Sequence, residues 1–244
     1  MTAILGSSVV AMWLAVHALG HAVFRENQLF ALRTINVVRP SHDVSKTNIL
    51  DILRLRIGDS IFQINLNQAR RVVLDETPRL KDIEISRRLP DLLQVLTVER
   101  VPMASLKMDG FMLGLDAEGY VLGPVDADRR LPLITGHNLV GLRPGARLDG
   151  TPVMQALEVL NVCADTPLGQ ELRVTRIDVR KGDMLNLLLE EGAEVALAWH
   201  EMRAHTDVSL KNLKLKLTRL AAIRQQGRSF SNLDMTFDNN YPAR

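Results

Sequence analysis

The sequence predicts an α+β protein with an N-terminal transmembrane helix, a small module in the order strand, helix, helix, strand, strand, and then a β-rich module with packed helices. Three observations carry this reading. No side chain between Thr2 and Phe24 is charged. From Leu32 to Thr97 the apolar residues recur at extended, then helical, then alternating spacing. Beyond Pro102 short apolar runs are separated by Gly110, Gly114, Gly119 and Gly123. The expected domains are an anchor over 1–26, the small module over 27–100 and the β-rich module over 101–244.

The anchor comes first. About 22 residues at about 1.5 Å each give roughly 33 Å, enough to cross a hydrocarbon core of about 30 Å. The small residues of Ala18-Leu19-Gly20 or Gly20-His21-Ala22 offer the alternative of a cleaved signal, but no basic run precedes the apolar one. Arg25 and Arg33, the nearest cations, both follow the segment, and a literal positive-inside count would place the large C-terminal part in the cytoplasm; with almost no N-terminal flank to weigh against it, that count does not set the orientation. His17 and His21 share a helix face and are read as interfacial side chains rather than as ligands.

In the first module Leu32 to Val38 reads as a strand ended by Pro40. Ser45 is placed to cap a helix that runs through Arg56 with Ile49, Leu50, Ile52 and Leu53 as its stripe, and Gly58 to close it. Ser60 to Leu66 reads as extended, and Asn67 as the cap of a second helix carrying Leu66, Ala69 and Val73. Pro78 ends that helix. Ile83 and Ile85 then alternate with Glu84 and Ser86, and after a turn at Leu89-Pro90-Asp91 come Leu93, Val95 and Thr97. Two helices laid on one face of a three-stranded sheet would bury both stripes. Neighbours on a strand point to opposite faces, so one of Glu99 and Arg100 can pair across the sheet while the other faces solvent.

The second module begins with a strand, turn, strand unit at Leu115 to Leu122. A helix follows, capped by Thr151 with Pro152 in its first turn and Val153, Leu157, Leu160 and Ala164 as its stripe. Leu172, Val174, Ile177 and Val179 lead into a hairpin turn at Lys181-Gly182, and Met184, Leu187 and Leu189 lead out. Glu194 to Trp199 is a further strand. The helix over Val208 to Arg224 places Leu210, Leu213, Leu217 and Leu220 on one face, with its lysines and arginines on the solvated side.

Several function classes are disfavoured. Thirty basic and 28 acidic side chains leave a net charge of +2, too little to hold a nucleic acid. The one cysteine, Cys163, lies in an apolar run and cannot form an internal disulfide. His200-Glu201-Met202-Arg203-Ala204-His205 has its histidines five apart, so on a helix they would not share a metal as a four-residue spacing allows. No nucleophile elbow, phosphate loop or dinucleotide fingerprint occurs. The chain is therefore read as non-enzymatic, with no cofactor, metal or small-molecule substrate.

Four motifs in order carry a family resemblance: the Phe-x-Leu-x-x-Ile-x-Val start at Phe30 to Val37, Gly-x-Ser-Ile-Phe-x-Ile-x-Leu at Gly58 to Leu66, Arg-x-x-Pro at Arg87 to Pro90, and Val-Glu-Arg-Val-Pro-Met-Ala at Val98 to Ala104. Over residues 29 to 104 the chain resembles the POTRA domain and exit strand of the bacterial cell-division family FtsQ/DivIB. Asp116 to Val121 and Leu131 to Gly136 resemble later family elements, and so does the closing segment, where Asp234 and Phe237 match but Thr236 stands in place of a usual arginine.

The resemblance implies a divisome scaffold on the inner membrane at the septum. Most of its chain would lie on the outer or periplasmic side, helping to localise or regulate septal wall synthesis. Implied partners are division proteins resembling FtsB and FtsL, extending to FtsK or FtsW. The implied contact is a sheet edge in the terminal segment, with Leu233, Thr236, Phe237, Asn239, Asn240 and Tyr241 as site residues. Arg180 and Lys181 are a second contact, because the family places a partner-binding arginine in a similar hairpin. The alternatives are another POTRA-bearing envelope assembly or transport factor, and an exported enzyme with a cleaved signal.

Overall fold

The computed structural model describes Met12, Trp13 and residues 28–39, 45–126, 130–226 and 230–237. The expected anchor therefore lies outside the described residues except for Met12 and Trp13, which are helical and exposed. Among the described residues no helix is long and apolar enough to cross a membrane. The chain divides into two compact units between Arg100 and Val101.

The first unit runs β1 (Thr34–Val38), α1 (Lys46–Leu53), α2 (Leu66–Glu76), β2 (Leu80–Arg88) and β3 (Leu92–Glu99). Its sheet has the order β1-β3-β2, with β1 parallel and β2 antiparallel to the central strand. Ile83, Ile85, Leu93 and Val95 face a core completed by Ile49 of α1 and by Ala69 and Val73 of α2. Ser45 caps α1 by accepting from the Asn48 N–H at 3.2 Å.

Three local expectations are corrected. Helix α1 stops at Leu53, not Arg56, because Arg54 takes a left-handed conformation (φ 52°) and closes the last turn; Gly58 lies in the loop beyond. The cap of α2 is Asn65, not Asn67: its Oδ1 accepts from the Gln68 N–H at 3.1 Å, so Leu66 starts the helix. Of the stretch expected as extended, Ser60 makes an isolated bridge to Ala31, Ile61 to Ile64 form a turn and Leu66 is already helical. Arg87 of β2 explains how that turn is held. Its Nε donates to the Ile61 carbonyl at 2.7 Å, its Nη2 donates to the Ile64 carbonyl, and its guanidinium lies 5.7 Å from the centre of the Phe62 ring. Phe62 in turn meets Phe30 edge to face at 5.1 Å.

The second unit contains β4 (Pro102–Lys107), β5 (Met112–Asp116), β6 (Val121–Pro124), β7 (Leu133–Thr135), α3 (Pro152–Asp165), the short α4 (Pro167–Gln170), β8 (Val174–Asp178), β9 (Leu185–Leu189), β10 (Glu194–Leu197), α5 (Asp207–Gln225) and β11 (Asn232–Met235). One eight-stranded sheet has the order β11-β10-β9-β8-β7-β4-β5-β6. Its register lines up a single buried row, Leu113, Leu106, Ile134, Ile177, Leu187, Val195 and Leu233, across seven strands. Apolar residues of α3 and α5 join this row in one core. The opposite face carries the row Thr135, Asp178, Asn186, Ala196 and Asp234.

Thr151 stands at the N-cap of α3, but its hydroxyl donates to the Leu148 carbonyl at 2.8 Å and does not cap the helix. Ala164 is exposed, and the buried stripe of α3 ends at Cys163 instead. Burial pushes the Cys163 thiol up to about 12. A Cβ on Gly169 would lie 2.6 Å from the Cys163 Cα, so only glycine lets α4 pack against the end of α3.

Arg87→Met keeps the apolar stem and removes the donors to Ile61 and Ile64. The expected result is a loss of about 2 kcal/mol in the first unit, read as faster hydrogen exchange of β2 and β3 amides with β9 amides unchanged. Unaltered β2 and β3 exchange would contradict this account of the turn.

Candidate functional site

An eight-stranded open sheet has two edges, and they differ. At β6 the segment 145–148 covers the outer side: the Val121 N–H donates to the Ala146 carbonyl at 2.9 Å and the Gly145 N–H to the Val121 carbonyl at 2.8 Å. A bridge joins Tyr120 to Arg147. At β11 no described residue pairs with the side away from β10. An uncovered edge is the usual place for a further strand to add.

The ladder tells which groups β11 turns outward. The Glu194 N–H donates to the Ser231 carbonyl at 2.9 Å, and β10 and β11 are parallel. Alternation along the strand then directs the N–H and C=O of Leu233 to β10 and those of Asn232 and Asp234 away from it. The next outward N–H, that of Thr236, is already taken: Asp234 Oδ1 accepts it at 2.9 Å and also accepts the Thr236 hydroxyl at 2.7 Å. The hydroxyl first, then the N–H, and then the nearby charge of Lys216 hold the Asp234 carboxyl below its ordinary value.

Lys216 of α5 is 3% exposed. Its Nζ donates to the carbonyls of Ala198 at 2.6 Å, Met235 at 2.9 Å and Phe237 at 3.1 Å, with that of Thr236 at 3.5 Å. The ammonium thus sits where the carboxyl ends of β10 and β11 run out of ladder partners. Nearby, the Trp199 indole N–H donates to the Ser209 hydroxyl at 2.9 Å, a second buried polar tie between the end of β10 and α5.

The expectation that the cations of α5 are all solvated is therefore corrected. Arg224 also turns inward and donates to the Glu171 and Leu172 carbonyls, both at 3.1 Å. Leu210 is exposed, and the buried stripe is Leu213, Lys216, Leu217 and Leu220. This spacing of three, one and three was the available signal, because a residue between Leu213 and Leu217 on that face must be enclosed whatever its charge.

The structure places the expected site residues unequally. Leu233 is buried in the unit's own core, so its side chain is not part of an outward contact. Thr236 is half-buried, and Phe237 is 60% exposed. Asn239, Asn240 and Tyr241 lie outside the described residues. Arg180 and Lys181 are exposed in the β8–β9 turn, where the Arg180 N–H donates to Asp178 Oδ1 at 2.9 Å. Leu185 pairs with Leu197 and Leu197 with Met235, so that turn and Phe237 lie at the same end of the sheet. From β8 to β11 is three strand spacings, or about 14 Å, so the two groups do not form one patch by direct contact.

Residues 200–204 are turn and 205 is irregular, so the segment is not helical, and Glu201 and His205 have positive φ. His205 Nδ1 lies 2.6 Å from a Glu158 carboxylate oxygen. Among the described residues no group of three His, Cys, Asp or Glu side chains is placed to hold a metal ion.

Residues 30–100 match the POTRA domain of the FtsQ type. These residues include the β1-α1-α2-β2-β3 unit described above. The chain is 28% identical over 163 residues to the cell division protein FtsQ of Syntrophotalea carbinolica. The chain resembles the FtsQ/DivIB family of cell-division proteins. It is also 30% identical over 127 residues to FtsQ of Geotalea daltonii and 26% identical over 97 residues to DivIB of Clostridium tetani. These three alignments cover 62%, 50% and 40% of this chain, and 57%, 45% and 36% of the relatives' own lengths. The family resemblance carried by the four ordered motifs is borne out.

Because Asp234 is depressed, its ionised form favours the native turn above the ordinary value of 3.8, and that contribution is lost as pH falls through the lower native value. Thr236→Val removes the hydroxyl donor. NMR titration of the Asp234 carboxyl should give a midpoint below 3.8 in the unaltered chain and one moved back towards 3.8 in the variant. Equal midpoints would contradict the assignment.

Proposed function

We propose that this chain is a membrane-anchored, non-enzymatic divisome scaffold that links other division proteins and helps to localise or regulate septal wall synthesis. In this reading residues 1–26 hold the chain in the cytoplasmic membrane. The POTRA unit and the second unit then lie on the outer or periplasmic side at the septum. The curated relatives named above as cell division proteins support the process, and the open edge of β11 supports the mode of action.

The edge takes a strand from a small partner resembling FtsB, itself paired with one resembling FtsL. Backbone groups of Asn232 and Asp234 supply the pairing, and alternate side chains supply the specificity. Phe237 is the anchor at the end of that edge, as exposed aromatic residues often are at interfaces. The open depression of about 350 Å³ between Asn186, Ala196 and Asp234 gives an incoming side chain space beside the strand. Asn239, Asn240 and Tyr241 extend the contact, and Arg180 and Lys181 meet a more distant part of the partner at the same end of the sheet.

A depletion strain carrying a fluorescent fusion of the full chain tests the process. Filamentation on depletion with signal at the septum is expected, whereas normal division and diffuse envelope signal would overturn it. Phe237→Ala tests the edge. The variant should stay folded and lose about 2 kcal/mol or more of affinity for the FtsB-type protein of the same genome, measured on purified proteins. Unchanged affinity would remove Phe237 from the contact.

A further inference from the structure

We infer that Lys216 is a positioning residue for the partner edge, an inference that rests on the docking role proposed for β11. Three consecutive carbonyls, those of Met235, Thr236 and Phe237, lie within 3.5 Å of one ammonium nitrogen. In an extended strand successive carbonyls point to opposite sides, so three in a row cannot converge on one point while the chain stays extended. Holding them together ends β11 at Met235 and bends the chain there. The fourth carbonyl, of Ala198, ties this bend to the end of β10.

The consequence is an edge of defined length. Asn232 and Asp234 face outward, the Thr236 N–H is withdrawn by Asp234, and Phe237 stands out of the sheet directly after the bend. A strand added here pairs over the span of Asn232 to Asp234 and then meets the Phe237 ring. Burying an ammonium is costly unless its donors are all used. A leucine or methionine at this position would continue the apolar stripe of α5 but would leave these carbonyls without the donor. Filling the core therefore does not explain a lysine, whereas shaping the end of β11 does.

The test compares Lys216→Met with Leu217→Ala in the full chain. Leu217 is buried beside Lys216 and provides a core lesion without donors to the terminal carbonyls. Hydrogen exchange is followed at Leu233, Thr236 and Phe237 and at the β9 amides. In Lys216→Met the terminal amides should exchange roughly tenfold faster or more relative to β9. In Leu217→Ala both sets should change in proportion. Should Lys216→Met not fold, the same comparison is read in Lys216→Arg, whose planar guanidinium keeps the charge but cannot bring one nitrogen to all four carbonyls. Proportional change in the variant that is read would overturn the inference.

Capture of the FtsB-type protein of the same genome separates this from the docking proposal. Local loosening with lost capture supports the positioning role. Local loosening with capture retained overturns it, and if Phe237→Ala also retains capture, the docking reading fails with it.

Discussion

The convergence of backbone carbonyls on the Lys216 ammonium is the constraint on which the terminal part of the second unit depends. Two parallel strands ending side by side leave carbonyls that no further strand residue can satisfy, and a buried carbonyl without a donor is costly. A helix that passes over the strand ends with one long cationic side chain solves this locally. The same contact decides where β11 ends, which backbone groups remain on its open side and where Phe237 emerges. The helix, the strand and the exposed aromatic thus form one device rather than three neighbouring features.

The first unit meets a related problem with a different side chain. The turn between α1 and α2 cannot join the sheet as a strand, so its carbonyls need donors from elsewhere, and Arg87 reaches two of them from β2. A planar fork suits two carbonyls three residues apart, whereas a compact ammonium suits four that meet at a point. In both units a cation written in a strand or helix pattern as surface charge is used inside to satisfy irregular backbone.

That use explains what could be read from residues alone. The strand, helix, helix, strand, strand order was legible because Ile83, Ile85, Leu93 and Val95 alternate and Ala69 and Val73 are four apart. The hairpin around Lys181-Gly182 and the helix leading into the terminal strand were legible for the same reason. Helix ends were less so: Arg54 closes α1 in a left-handed conformation that glycine usually takes, and either Asn65 or Asn67 can cap α2. Lys216 and Arg224 were misplaced because charge was weighed above position. The stripe that contains Leu213, Leu217 and Leu220 passes through 216 whatever residue stands there. Leu233 was assigned to the contact because strand alternation cannot say which face is the core until the partner strands are known.

Exchange protection in a complex tests the open edge most directly. The full chain is mixed with the FtsB-type protein of the same genome, and the backbone amides that slow are identified. New protection is expected at Asn232 and Asp234, whose N–H groups face away from β10, with Leu233 little changed and Val121 on the covered β6 edge unaffected. A complex that forms with no added protection at Asn232 and Asp234, or with protection at β6 or on the POTRA strands instead, would contradict docking at the open edge.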